Sequence, residues 1–295
     1  MDHEPPAEPA EPQPSPLTAV LQFFVVPLVV VALAAGVFLM FGYLTREDKS
    51  FGETLAEVRA GSLTRRWQAA YELSRRVVAD PEAARASGVG PLVIDTFESA
   101  RGEDARVRRY LASVLGALGD PAALPALVAA LEDADPETRA HAAWALAALG
   151  DRRAVAALIE RLRGEQDKEV RSVTAYALGR LGDPAALPAL RVASEASDPA
   201  LAWQATFARA QLGDATARPA LLRLLDPGYV SAAPGITPEQ QLEVRLNALR
   251  ALVLVAEPED RKLLSRLAAE DPELKLQAAA HEALAQLEAR LAGTR

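Results

Sequence analysis

The tripeptide Leu-Gly-Asp occurs four times, as Leu118-Gly119-Asp120, Leu149-Gly150-Asp151, Leu181-Gly182-Asp183 and Leu212-Gly213-Asp214, at steps of 31, 32 and 31 residues. A fixed step of this size means that one supersecondary unit is repeated along the chain. Each copy has a mechanical meaning: Gly takes the left-handed conformation that ends one helix, Asp caps the next, and Pro121 or Pro184 starts it. Helical patterns flank every copy. The helix before the tripeptide reads VRRYLASVLGALG from Val107, TRAHAAWALAALG from Thr138, VRSVTAYALGRLG from Val170 and LAWQATFARAQLG from Leu201, and related segments start at Val244 and Leu274. The helix after it reads PAALPALVAALED, RRAVAALIERLRG, PAALPALRVASEA and ATARPALLRLLDP. The unit is helix, turn, helix, and it buries its apolar face only against copies of itself.

Position, spacing and cap residues together make these units similar to HEAT repeats of the short kind named after phycobilisome lyases. The resemblance runs from about residue 51 to the end of the chain. It implies an all-α fold, a HEAT-like α-solenoid of about seven helix pairs, with first helices on the convex side and second helices lining the concave side. It also implies a scaffold or adaptor that binds a protein partner, since only a minority of such proteins are enzymes. At the N-terminal end of the array, Ser50-Phe51-Gly52-Glu53 reads as a capping box opening a short helix that Gly61 ends, with a second helix over 62–78. Two places break the period. Arg66 to Arg108 is 42 residues and Leu201 to Val244 is 43, which places insertions near residues 79–90 and 226–239. The second, DPGYVSAAPGITPE, is punctuated by Pro and Gly and is expected to be an exposed loop, with Tyr229 as a candidate partner contact.

Ahead of the repeats, residues 17–44 carry no charge and only Thr18 and Gln22 as clearly polar side chains. A bilayer core needs roughly 20 apolar residues in helical form, so the run predicts a single transmembrane helix. Pro27 lies within it, and Ala32 and Gly36 form a small-xxx-small pair. No Lys or Arg precedes the run, whereas Arg46, Lys49, Arg59, Arg65 and Arg66 come after it. The positive-inside rule then puts the solenoid in the cytoplasm and the N-terminus outside, in the inner membrane of a bacterial cell. Residues 1–16, rich in Pro and Glu, read as a disordered tail. The chain thus divides into 1–16, 17–44 and a solenoid over 45–295.

Composition narrows the chemistry. Subtracting the four acids of the tail from 40 leaves residues 45–295 with 36 acidic and 32 basic groups, a net of −4, which gives no nucleic-acid footprint. Cysteine is absent, so disulfides and thiolate chemistry are excluded. His281-Glu282 resembles one of the several His-Glu pairs of HEAT-type metal-dependent hydroxylases, but it stands alone, and His141 is followed by Ala142. No metal site, cofactor, catalytic residue or small-molecule substrate is expected. The alternative is an enzyme of the bilin-lyase or hydroxylase type. The recurrent basic residues Arg66, Arg108, Arg139, Arg171, Arg245 and Lys275 read as structural partners of acids in neighbouring repeats.

The aromatic residues suggest where a partner binds. Seven lie on second helices, Trp67, Tyr71, Tyr110, Trp144, Tyr176, Trp203 and Phe207, and they use only positions 3, 4 and 7 of the helix. At about 100° per residue the core stripe at positions 1, 5, 8, 9 and 12 points one way and positions 3 and 7 nearly the other. The seven rings are therefore expected outside the central core, as a groove on the concave face. The competing arrangement has them lying sideways and filling gaps between Ala-rich helices.

Overall fold

The computed structural model describes residues 25–44 and 49–293, in two compact units, Met1–Ser50 and Phe51–Arg295. In the first unit helix α1 spans Val26–Leu44, and each described side chain from Leu28 to Phe38 is exposed. Among the described residues no helix is long and apolar enough to cross a membrane. Of the predicted span, residues 26–44 form α1. The span's first residues, 17–24, and the tail 1–16 lie outside the described residues.

The second unit is built of seven helix pairs: α2 (Phe51–Ala60) with α3 (Leu63–Ala79), α5 (Gly90–Ser99) with α6 (Ala105–Leu118), α7 (Leu124–Ala130) with α8 (Pro136–Leu149), α9 (Val155–Gly164) with α10 (Lys168–Leu181), α11 (Leu187–Ala193) with α12 (Pro199–Gln211), α13 (Arg218–Leu224) with α15 (Pro238–Val255), and α16 (Arg261–Glu270) with α17 (Leu274–Gly293). The second helices stack in chain order, α3 on α6 and so on to α17, and each first helix packs against its own second helix. The result is a HEAT-like solenoid of two helical layers.

The four turns are made as their sequence dictates. Gly119, Gly150, Gly182 and Gly213 have φ of 65°, 72°, 66° and 76°. The four aspartates each cap the next element, with Asp120, Asp151, Asp183 and Asp214 accepting from the N–H of Ala122, Arg153, Ala185 and Thr216 at 2.9, 2.9, 2.9 and 3.1 Å. The capped element differs from the expected single helix. Each aspartate takes the N–H two residues on, and the chain first makes a three-residue 3-10 turn, as at Pro121–Ala123 and Arg152–Ala154, before the α-helix begins.

Both insertions are more ordered than their composition suggests. The first holds a short helix, α4 (Pro81–Ala86), capped by Asp80. The second is not an exposed loop throughout. It opens with α14 (Pro227–Ser231), whose Val230 is fully buried, and residues 238–243 extend the second helix of the sixth pair, because Thr237 and Gln240 form a capping box ahead of Val244. Only residues 232–237 remain as a turn, with Gly235 at φ 74°.

The buried apolar residues form two clusters that meet inside α12. Ala205 and Ala208 belong to the first, Phe207 and Ala210 to the second. Arginines tie the repeats together beside this core. Arg108 Nε lies 2.7 Å from Asp133, Arg139 makes a two-pronged bond to Glu165 at 2.8 and 2.9 Å, and Arg66 and Arg245 pair with Glu103 and Asp271. Arg171 departs from the row: it makes no ion pair with a described residue, and its buried Nε, unlike that of Arg108 beside Asp133, has no acid near it.

These pairs set the response to acid. Burial pushes the Glu165 carboxyl up, but the Arg139 guanidinium and the N–H groups of Asp167 and Gln166 outweigh burial and hold it at about 2. Asp135 is lowered to about 2, first by Arg109 and then, against burial, by Thr138. Groups depressed in the folded state stabilise it above their ordinary range, 4.5 and 3.8 here, and lose that contribution as pH falls toward 2. Stability of the array is expected to fall steeply below about pH 4.5. Glu165→Gln, compared with the parent by urea unfolding at a series of pH values, should lower stability at pH 7 by on the order of 2 kcal/mol and flatten the acid dependence. An unchanged acid profile would show that the Arg139 pair is not what acid breaks.

Candidate functional site

The second-helix layer carries all seven predicted rings. Positions 3 and 7 of the second helices point away from the core between the layers, and most of the rings are half-buried or exposed. Trp67, Tyr110, Tyr176 and Trp203 are half-buried and packed against the edge of the core, while Tyr71 and Trp144 are 45% and 42% exposed. Phe207 departs from the expectation. At 7% exposure it belongs to the core, because α12 sits where the two clusters meet and its position 7 is covered by α15.

The structure brings only some of these residues together. Tyr71 and Tyr110 meet edge to face with centroids 5.2 Å apart, and the Arg106 guanidinium lies 4.6 Å above the Trp67 ring. The row is interrupted in the second pair, where position 3 is Arg109. Its guanidinium holds Asp135, the cap of the next second helix, at 2.7 and 2.8 Å. Position 7 there is Ser113, whose Oγ lies 2.8 Å from His141 Nδ1. Burial and the nearby Arg109 lower the His141 pKa, so the imidazole is neutral at pH 7. That pair was not read from the sequence, although Ser113 and His141 sit at positions 7 and 4 of adjacent second helices.

Trp203 and Phe207 line a cleft of about 480 Å³ between α12 and α15, closed on one side by Ala233–Ile236 of the second insertion. A second cleft, about 380 Å³, opens on the other side of Trp203 and contains Tyr229, over whose ring the Arg223 guanidinium lies at 5.8 Å. A third, about 710 Å³, runs between α15 and α17 past Glu243, Arg250, Lys275 and Glu282. Trp203 is shared by the first two and Glu243 by the first and third, so the three clefts lie in series. Sequence reasoning found Trp203, Phe207 and Tyr229 but missed Ile236, Gln240, Glu243 and Asn247. The signal was present, since an insertion beside an aromatic position 3 supplies a wall that a regular repeat lacks. Among the described residues no group of three or more His, Cys, Asp or Glu side chains is placed to hold a metal ion, and His281 is joined by no second such pair.

A family model described as HEAT repeats matches residues 95–178 and again 155–233. No curated protein matches the chain. Among solved structures, the complex of CpcE and CpcF of phycocyanin lyase from Nostoc sp. PCC7120 is similar with a TM-score of 0.56 and 22% identity, over 81% of this chain and 88% of that one. At that identity the likeness speaks for the fold. An engineered protein aligns over 82% of this chain and 97% of its own, with 19% identity and a TM-score of 0.44. Residues 95–233 thus match HEAT repeats, inside a HEAT-like solenoid that continues on either side of them.

Proposed function

We propose that the protein is a membrane-tethered scaffold whose second-helix layer captures a protein partner. The observation that carries this reading is the series of clefts at Trp203, where two aromatic side chains meet a wall supplied by an insertion in the repeat. Half-buried rings on a preformed apolar surface are what interface anchors are made of. The likeness to a chain solved in the complex of CpcE and CpcF is in keeping with a protein partner. The uncharged run 17–44 supports tethering to the inner membrane, with the basic residues after it keeping the solenoid cytoplasmic. Tethering raises the effective concentration of the solenoid toward other membrane-bound proteins.

Binding and folding separate in the test. Trp144 is exposed and Trp203 half-buried, so Trp144→Ala and Trp203→Ala are expected to leave thermal unfolding nearly unchanged while a lost interface anchor weakens recovery of the co-purifying partner by about 2 kcal/mol or more. Phe207→Ala is unsuitable for this purpose, since truncating a core phenylalanine costs roughly 3 to 5 kcal/mol of stability. Full partner recovery with both tryptophan variants would remove the reading. For the orientation, a reporter active only in the cytoplasm should work when fused after Arg295, and activity of a periplasmic reporter alone would reverse it.

A further inference from the structure

We propose that the cleft between α12 and α15 receives a cationic side chain, arginine or lysine, of the bound peptide, with its stem against Trp203 and Phe207. This rests on the reading of the second-helix layer as a protein-binding face and states which chemistry that face selects.

The walls favour a positive charge. None of the 15 residues lining the cleft is Lys, Arg or His, and two are carboxylates, Asp198 from the cap of α12 and Glu243 from α15. The array's other inter-repeat acids are held by arginines, as Asp133, Asp135, Glu165 and Asp271 are. These two are not. The Glu243 side chain is exposed and makes no ion pair with another described residue, and Asp198 has only Lys168 Nζ, at 3.9 Å and on a side chain 80% exposed, where such a pair is worth little. One Asp198 oxygen is committed to the N–H of Leu201 at 3.1 Å. The indole of Trp203 adds a surface that attracts cations and Gln204 supplies a neutral amide, while the side-chain oxygens of Gln240 and Asn247 already accept from the Thr237 N–H and from Arg250.

Size and solvation point the same way. About 480 Å³ accommodates a long side chain with a short piece of its backbone. An apolar occupant would strip water from the two carboxylates without replacing it, and an anionic one would add repulsion; a guanidinium or ammonium at the end of an apolar stem satisfies both parts of the wall.

The test uses the full chain in mild detergent, labelled with ¹⁵N at its tryptophan indoles and titrated with N-acetyl-arginine amide, N-acetyl-leucine amide and N-acetyl-glutamate amide. Single Trp→Phe variants assign the indole signals. The arginine amide is expected to shift the Trp203 signal in the millimolar range and to leave Trp67 and Trp144 in place, with the other two compounds inert. Glu243→Gln should weaken that response about tenfold. Asp198→Asn should weaken it less and keep the fold, because asparagine also caps a helix. An equal response to the leucine amide, no response of Trp203 to the arginine amide, or a response indifferent to Glu243→Gln each overturns the charge selection. An equal leucine response leaves the protein-binding reading standing, whereas partner capture that survives Trp203→Ala and Trp144→Ala removes that reading itself.

Discussion

Gly179→Ala is expected to destabilise the solenoid by about 2 kcal/mol, although helix propensity alone predicts a gain of about 1 kcal/mol from the same change. Gly179 lies inside α10, and a Cβ there would sit 2.9 Å from the Cα and 2.8 Å from the Cβ of Ala208 on α12, and against the side-chain oxygen of Gln211. The glutamine can swing away. The backbone of α12 cannot, so the two helices must separate. Gly116 repeats the arrangement two interfaces away, between α6 and α8, where a Cβ would meet Ala145 Cα at 2.8 Å. Both occupy position 10 of a second helix, so the constraint belongs to the stacking of this layer. Gly150 is the control. It has open space for a Cβ and only its φ of 72° to oppose a side chain, so Gly150→Ala should cost about 1 to 2 kcal/mol through the backbone alone. Equilibrium urea unfolding of the two variants reads the signs. A more stable Gly179→Ala protein would mean that the α10–α12 contact yields easily.

Asp271→Ala should cost about 3 to 5 kcal/mol, the range for removing one partner of a buried ion pair. The side chains of Arg245 and Asp271 are 6% and 5% exposed, and Arg245 Nε also donates to the Leu225 carbonyl at 3.1 Å. Alanine leaves the guanidinium buried with a single carbonyl and frees the N–H of Glu273, which Asp271 holds at 3.0 Å. The same step of 26 residues joins Arg139 to Glu165, but from Arg171 it leads to Ser197, an exposed serine that offers no carboxylate. Ser197→Glu is therefore expected to stabilise the array by about 1 kcal/mol by giving the buried Arg171 Nε the acid its counterparts have. Thermal unfolding checks both variants. If Asp271→Ala melts with the parent, the arginine row does not hold the repeats together, and a neutral Ser197→Glu would show that Arg171 already finds water.

What the residues determined by themselves is local. The left-handed glycines, the capping aspartates, the seven pairs and the placement of most aromatic side chains off the core stripe come from short-range rules, because each depends on φ, on one side chain reaching a nearby N–H, or on the 3.6-residue period. The arginine row was legible for the same reason, since a fixed repeat fixes the distance between repeats. Only the tertiary structure decided the rest. The burial of Phe207 depends on how α15 covers α12. The order in residues 227–231 depends on Val230 finding the core, which no reading of DPGYVSAAPG reveals. The clefts at Trp203 exist because an insertion and a lengthened helix meet one aromatic position in space. A pocket is a property of surfaces left unfilled between elements, and a sequence lists the surfaces without saying which of them face each other.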